Sequence, residues 1–216
     1  MDPLLIVLVC IYSSIFLVGF TGNVLMVVVT FHSNNLRSIC NILICACCFF
    51  DMLLYTDILA FVASMFVPIT QEHCFYINIP ADFGAFASNA CVLAVGIDRL
   101  LAVGSPTRYK SLELQKGRYL FLLMSFPVIY ALALLYVGVG QRDPLRNVVC
   151  LLPESLGHAY DLFALTSLFI NLFVPPIYFY VYFRVKRMRM SEFMAYFLFI
   201  DQEEIGQKRV LSHMYV

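Results

Sequence analysis

The chain has 216 residues, 62% of them hydrophobic and only 13% charged, with a formal net charge of zero and a mean hydropathy of +0.85. A soluble domain carries about 25% charged residues; this chain cannot cover its surface with charge, and membrane lipid must cover much of it. Zero net charge gives no reason to expect nucleic acid as a partner. With no Gly-rich phosphate loop, CxxC pair or HExxH in the sequence, no cofactor and no enzymatic activity are expected.

A helix needs about 20 apolar residues to cross the hydrocarbon core, and five stretches are long enough. The first is predicted over 4–30 and contains Asn23. It lacks a basic flank, and its apolar run is too long for a signal peptide, so it reads as a span. The second covers 39–67, with Asp51 near its middle and Asp57 beyond it. The third covers 75–103 and carries Asp82, Ser88, Asp98 and Arg99. The fourth covers 119–139 and the fifth 162–183. A lone strand could not satisfy its backbone in lipid, so all five are helices. The expected fold is all-α: a bundle of five transmembrane helices over 1–185, then a cytoplasmic tail over 186–216 whose apolar run, 193–200, is too short to span.

Basic residues set the orientation. Arg37, Arg99, Arg108, Lys110, Lys116, Arg118, Arg184, Lys186, Arg187, Arg189, Lys208 and Arg209 fall on one inferred side, and only Arg142 and Arg146 on the other. The N-terminus is therefore expected outside and the C-terminus in the cytoplasm. Of eight cysteines, six (Cys10, Cys40, Cys45, Cys47, Cys48, Cys91) sit in apolar runs and read as small core residues. Cys74 and Cys150 fall instead in short polar stretches between runs.

Polar groups inside spans are costly and mark functional sites by default. Asp57 and Asp82 either hydrogen-bond between helices or line a ligand cavity. Asp51 has a bland reading as a hydrogen-bond partner of Asn23. Ser88 and Arg99 are 11 residues apart, nearly three helical turns, and share one face. Arg99 taken alone reads as an interfacial anchor.

In sequence order, Asp98-Arg99-Leu100-Leu101-Ala102-Val103, with Pro106 and Tyr109, resembles the DRYxAxxxPxxY signature of rhodopsin-like G-protein-coupled receptors. Leu100 replaces the usual aromatic. Gly22-Asn23 matches the first-helix GN, Asp51 the second-helix aspartate, and Phe173 with Pro176 the fifth-helix FxxP. The DRL form and the short first extracellular loop look most like the nematode serpentine chemoreceptors of class SX. The resemblance covers helices one to five. It departs from the family in having no Trp, in Tyr180 and Tyr182 being out of register with Arg184 in the tyrosine's place, and in having no sixth and seventh helices with their CWxP and NPxxY motifs.

The resemblance implies a disulfide from Cys74 to Cys150 in the second extracellular loop. It assigns Asp98 and Arg99 to the coupling of a heterotrimeric G protein. It also implies a sodium site at Asp51 and Ser88, which the family completes with helix-seven groups. Ala81, not Asp82, occupies the place of the amine receptors' aspartate, so amine binding is not carried over. The expected function is that of a chemosensory receptor for an extracellular small molecule or peptide, here as a truncated form or an incomplete gene model. The alternative is a five-helix protein that does not signal and acts by forming an oligomer with a full-length receptor.

Overall fold

The computed structural model describes residues 3–33, 37–140, 143 and 145–214. Arg142, counted above as an outward-facing charge, lies outside the described residues.

The first apolar run folds as one helix, α1 (Pro3–His32). Three of its hydroxyls are satisfied locally: Ser14, Thr21 and Thr30 each donate to the carbonyl four residues back. That keeps them compatible with lipid. The second run begins with Ser38, whose hydroxyl accepts from the Asn41 amide and caps α2 (Ile39–Leu54). The expected single helix over 39–67 is broken at Tyr55 and Thr56, after which α3 (Asp57–Ser64) continues the span. No proline causes the break. The Thr56 hydroxyl donates to the Leu53 carbonyl at 2.8 Å and offers the backbone a turn instead.

Helix α4 (Gln71–Gly104) is the axis of the bundle. Thr70 caps it by accepting from the His73 amide, and Glu72 in the first turn suits the positive end of the helix dipole. Its buried residues include Ala81, Gly84, Ala85, Ala87, Ala90, Cys91 and Ala94. Small side chains let backbones approach where lipid gives no hydrophobic drive between helices. At Gly84 a Cβ would lie 2.5 Å from the Phe50 carbonyl oxygen and 2.6 Å from the Leu54 amide nitrogen, so only glycine fits this crossing with α2.

Pro106 opens a short helix, α5 (Pro106–Leu114), which the hydrophobic pattern did not predict because it is polar and lies between spans. Helix α6 (Lys116–Val139) is the fourth span. Next come α7 (Leu152–Leu156) and α8 (Ala159–Met214), whose backbone runs on unbroken past residue 185. A two-residue strand before α4, β1 (Ile69–Thr70), pairs antiparallel with β2 (Asn147–Val148) in the loop after α6. Five helical segments are long and apolar enough to cross a membrane: Cys10–His32, Ile39–Ser64, Gln71–Gly104, Lys116–Val139 and Ala159–Met188. The fold is an all-α membrane helix bundle, with apolar side chains such as Val18, Phe121 and Tyr136 facing outward.

α4 packs against α2, α6 and α8. Phe50, Phe75, Phe86 and Leu134 form the central core. Ile39, Leu43, Val95 and Tyr119 form a second cluster at the arginine end. Two polar pairs hold α8 to the bundle, Asn89 donating to Ser167 at 2.7 Å and Tyr130 meeting Thr166 at 2.5 Å.

Candidate functional site

The polar residues singled out in the sequence gather at three levels of α4. At the arginine end, the Asp98 side chain is fully buried and Arg99 is 39% exposed. Their closest approach is only 4.0 Å, from Arg99 Nε to Asp98 Oδ2. Asp98 is held chiefly by two tyrosines: Tyr109 of α5 and Tyr119 of α6 donate to Oδ1 at 3.3 and 3.2 Å. Hydrogen bonds to a charged acceptor are worth about 1.5–3 kcal/mol each. Burial and the neighbouring Asp98 carboxylate push the Tyr109 phenol up to about 12, so it stays a donor well into the alkaline range. Arg99 Nε donates to the buried Cys40 thiol of α2 at 2.7 Å. The expected Asp98–Arg99 pair thus exists, but it is loose, because each member has a nearer partner.

Sequence reasoning missed Tyr119 and Cys40. Tyr119 sits at a helix start and Cys40 in an apolar run, positions where the ordinary reading is interfacial aromatic and core filler. Tyr109 belonged to the recognised signature, but its partner could not be read from it.

At the middle level, the Ser88 hydroxyl donates to Asp51 Oδ1. The two residues that the resemblance assigned to one site are therefore brought together. Asn23 is half-buried, and a bond from Asn23 to Asp51 is not among the hydrogen bonds of the described residues; Ser88 occupies Asp51 instead.

At the opposite end, Cys74 of α4 is bonded to Cys150 in the loop after α6. Both cysteines are fully buried. The strand pair runs beside this link, and the Cys150 amide donates to the Ser64 hydroxyl at 3.1 Å. Beneath it lie Asp57 and Asp82, both buried. Asn78 Nδ2 donates to Asp57 Oδ1 at 3.0 Å, and the Ser155 hydroxyl of α7 lies 3.3 Å from both oxygens of Asp82. Above them, Gln71, Asp143, Arg146, Glu154, His158 and Asp161 are among the residues lining an open polar hollow of about 440 Å³. Arg146 pairs there with Glu154 at 2.9 Å.

An aspartate–arginine pair at one end of a central helix, a disulfide-pinned loop at the other and a carboxylate between them define a serpentine receptor bundle. The family model of the serpentine type 7TM GPCR chemoreceptor Srsx matches residues 16–202, and the chain belongs to that family. It is a chemoreceptor family and not a class of enzymes. No curated protein matches the chain.

Proposed function

We propose that this chain forms the ligand-facing loop and the G-protein-facing arginine of a chemosensory receptor at the plasma membrane. The disulfide end faces outside and the arginine end faces the cytoplasm. The observation that carries this reading is the state of Arg99. Its charge is half-exposed beside a basic loop, and it rests on a thiol while two tyrosines hold the aspartate. An arginine so weakly held can turn to the backbone of a heterotrimeric G protein at little cost, whereas a fully buried ion pair would cost about 3–5 kcal/mol to break. Activation is then a population shift between two packings, driven by a ligand that binds them unequally. The ligand, a small molecule or peptide, enters through the polar hollow at the disulfide end.

The test is Arg99→Ala in a receptor carrying this chain within a full set of seven helices, with surface expression and G-protein activation both measured. Expression is expected to hold and activation to be lost; activation equal to wild type sinks the coupling role. The Asp51–Ser88 pair supplies two of the oxygens a sodium ion needs. Sodium-dependent stabilisation that disappears in Asp51→Asn supports that site, and stabilisation that survives the substitution excludes it.

A further inference from the structure

We propose that Asp57, Asn78, Asp82 and Ser155 form a buried binding site for a small hard cation, beneath the disulfide and separate from the Asp51–Ser88 pair. The inference names a ligand class for the ligand-facing end proposed above, but it stands on stability and not on signalling.

Three observations carry it. First, both carboxylates are buried, Asp82 completely and Asp57 to 5% exposure, in the disulfide-side half of the bundle. Among the described residues neither forms an ion pair and no basic group faces either of them. The polar groups that do face them are Tyr12 from α1, Asn78 from α4 and Ser155 from α7, none of which carries a positive charge. A buried carboxylate without a countercharge is strongly unfavourable, and two of them near one another are worse. A positive charge is the missing member.

Second, the Asn78 side chain is completely buried, and its carbonyl oxygen, Oδ1, has no hydrogen-bond partner. Its amide nitrogen is engaged by Asp57 and lies 3.6 Å from the Cys150 sulfur, so the carboxamide has no reason to turn over. A completely buried, orphaned acceptor on a carboxamide that already meets Asp57 calls for a donor or a cation.

Third, the donor set is chemically uniform. Asn78 and Asp82 are four residues apart on α4 and share a face. Asp57 comes to them from α3, and Ser155 from α7. All the ligating atoms on offer are oxygens, two of them carboxylates, and no sulfur or imidazole nitrogen is among them. That set suits sodium or calcium and not a soft metal. A proton is the other source of one positive charge, since a protonated carboxyl would also give Asn78 Oδ1 its donor. The experiment separates the two.

The full chain is purified in detergent, and its thermal unfolding is followed by the loss of helical circular dichroism, which does not vary with pH as thiol labelling does. The titration is run at pH 8 in a large organic cation buffer, with sodium or calcium added. It is repeated at about pH 5.5 without metal. Asp51→Asn serves as the background throughout, so that the other carboxylate cannot supply the response. By linkage, a ligand at about 100 times its Kd raises the unfolding temperature measurably. Sodium or calcium is expected to raise it at pH 8 and to lose that effect as protons compete at low pH. A rise with acid alone and none with either metal assigns the charge to a proton and overturns the cation site. Asp82→Asn is expected to abolish the metal response and to unfold no lower than its parent in metal-free buffer, because it removes an uncompensated charge. An Asp82→Asn chain that unfolds lower and answers to metal as before overturns the site. If that variant does not express, the parent decides: no response to sodium or calcium at pH 8 overturns the proposal equally.

Discussion

Substituting Gly84 by alanine tests the packing on which every level of the site depends. A Cβ there would stand 2.5 Å from the Phe50 carbonyl oxygen, 2.6 Å from the Leu54 amide nitrogen and 2.9 Å from the Leu53 Cβ. The first two are backbone atoms within or beside α2's last turn and cannot rotate away as a side-chain tip could. Ordinary contact lies near 3.5 Å, so α2 and α4 must separate by roughly 1 Å at this point. Overpacking of this kind costs about 1–3 kcal/mol. The displacement also reaches one turn along α4 to Ser88, which donates to Asp51, so that bond is expected to lengthen. The assay is thermal unfolding of the purified chain, read by a thiol-reactive dye, because Cys40, Cys45, Cys48 and Cys91 are free and buried when folded. Gly22→Ala is the control. A Cβ at Gly22 meets nothing within 4 Å, and the substitution should be neutral or stabilise by about 0.5–1 kcal/mol through helix propensity. If Gly84→Ala unfolds at the same temperature as wild type, the close crossing of α2 and α4 is wrong.

Three further outcomes are expected. Cys74→Ser should cost about 2–5 kcal/mol and leave Cys150 open to thiol labelling, whereas in the wild type neither cysteine labels on intact cells without reductant; labelling of both in the wild type would contradict the link. A glycosylation tag inserted near Asp2 should be modified and one placed after Val216 should not, in keeping with the basic residues on the inferred inner side; the opposite pattern reverses the topology. The Tyr109 phenol is favoured in its neutral form by folding, so its contribution to stability is complete below the ordinary tyrosine range near 10 and is lost as pH rises toward about 12. An ultraviolet titration compared between wild type and Tyr109→Phe should show one phenolate forming late, and Asp98→Asn should bring it earlier; an unchanged titration in Asp98→Asn would show that the carboxylate does not hold that phenol.

Much of this was legible because lipid allows so few choices. A span must be long, apolar and helical, so its position and type follow from the run alone. Each predicted span is helical, the second as two helices in series, with ends within a few residues for the first and fourth. The cysteines outside the runs also found each other, and Ser88 found Asp51. The unreadable parts were those where a polar side chain decides. The second span breaks at Tyr55 and Thr56, where the Thr56 hydroxyl bonds a backbone carbonyl, a feature that hydropathy does not register. Helix α5 and the β1–β2 pair lie in water-facing loops where no apolar period signals them. Tyr119 reaches Asp98 across two helices, 21 residues apart in sequence, and Cys40 reaches Arg99 across 59. Such pairings depend on how helices are turned about their axes, and a run of apolar residues fixes length far better than rotation. Asn78 was the nearest miss, since its place four residues before Asp82 on one helix face was in plain view.

The link between Cys74 and Cys150 also imposes an order of events during synthesis. The two cysteines are 76 residues apart, with nearly all of the third span and the whole of the fourth between them. At about 5–20 residues per second, the first waits roughly 4–15 seconds for its partner to be made. On the proposed topology that wait is spent in the oxidising lumen, as an exposed thiol open to any passing disulfide. The second cysteine arrives only after the fourth span has been threaded back across the membrane. A chain whose fourth span enters the wrong way round would strand Cys150 on the reducing side, with its thiol unpaired. The bond therefore closes only on chains that have been inserted correctly, and its absence would mark the failed chains for a quality-control system that recognises free thiols.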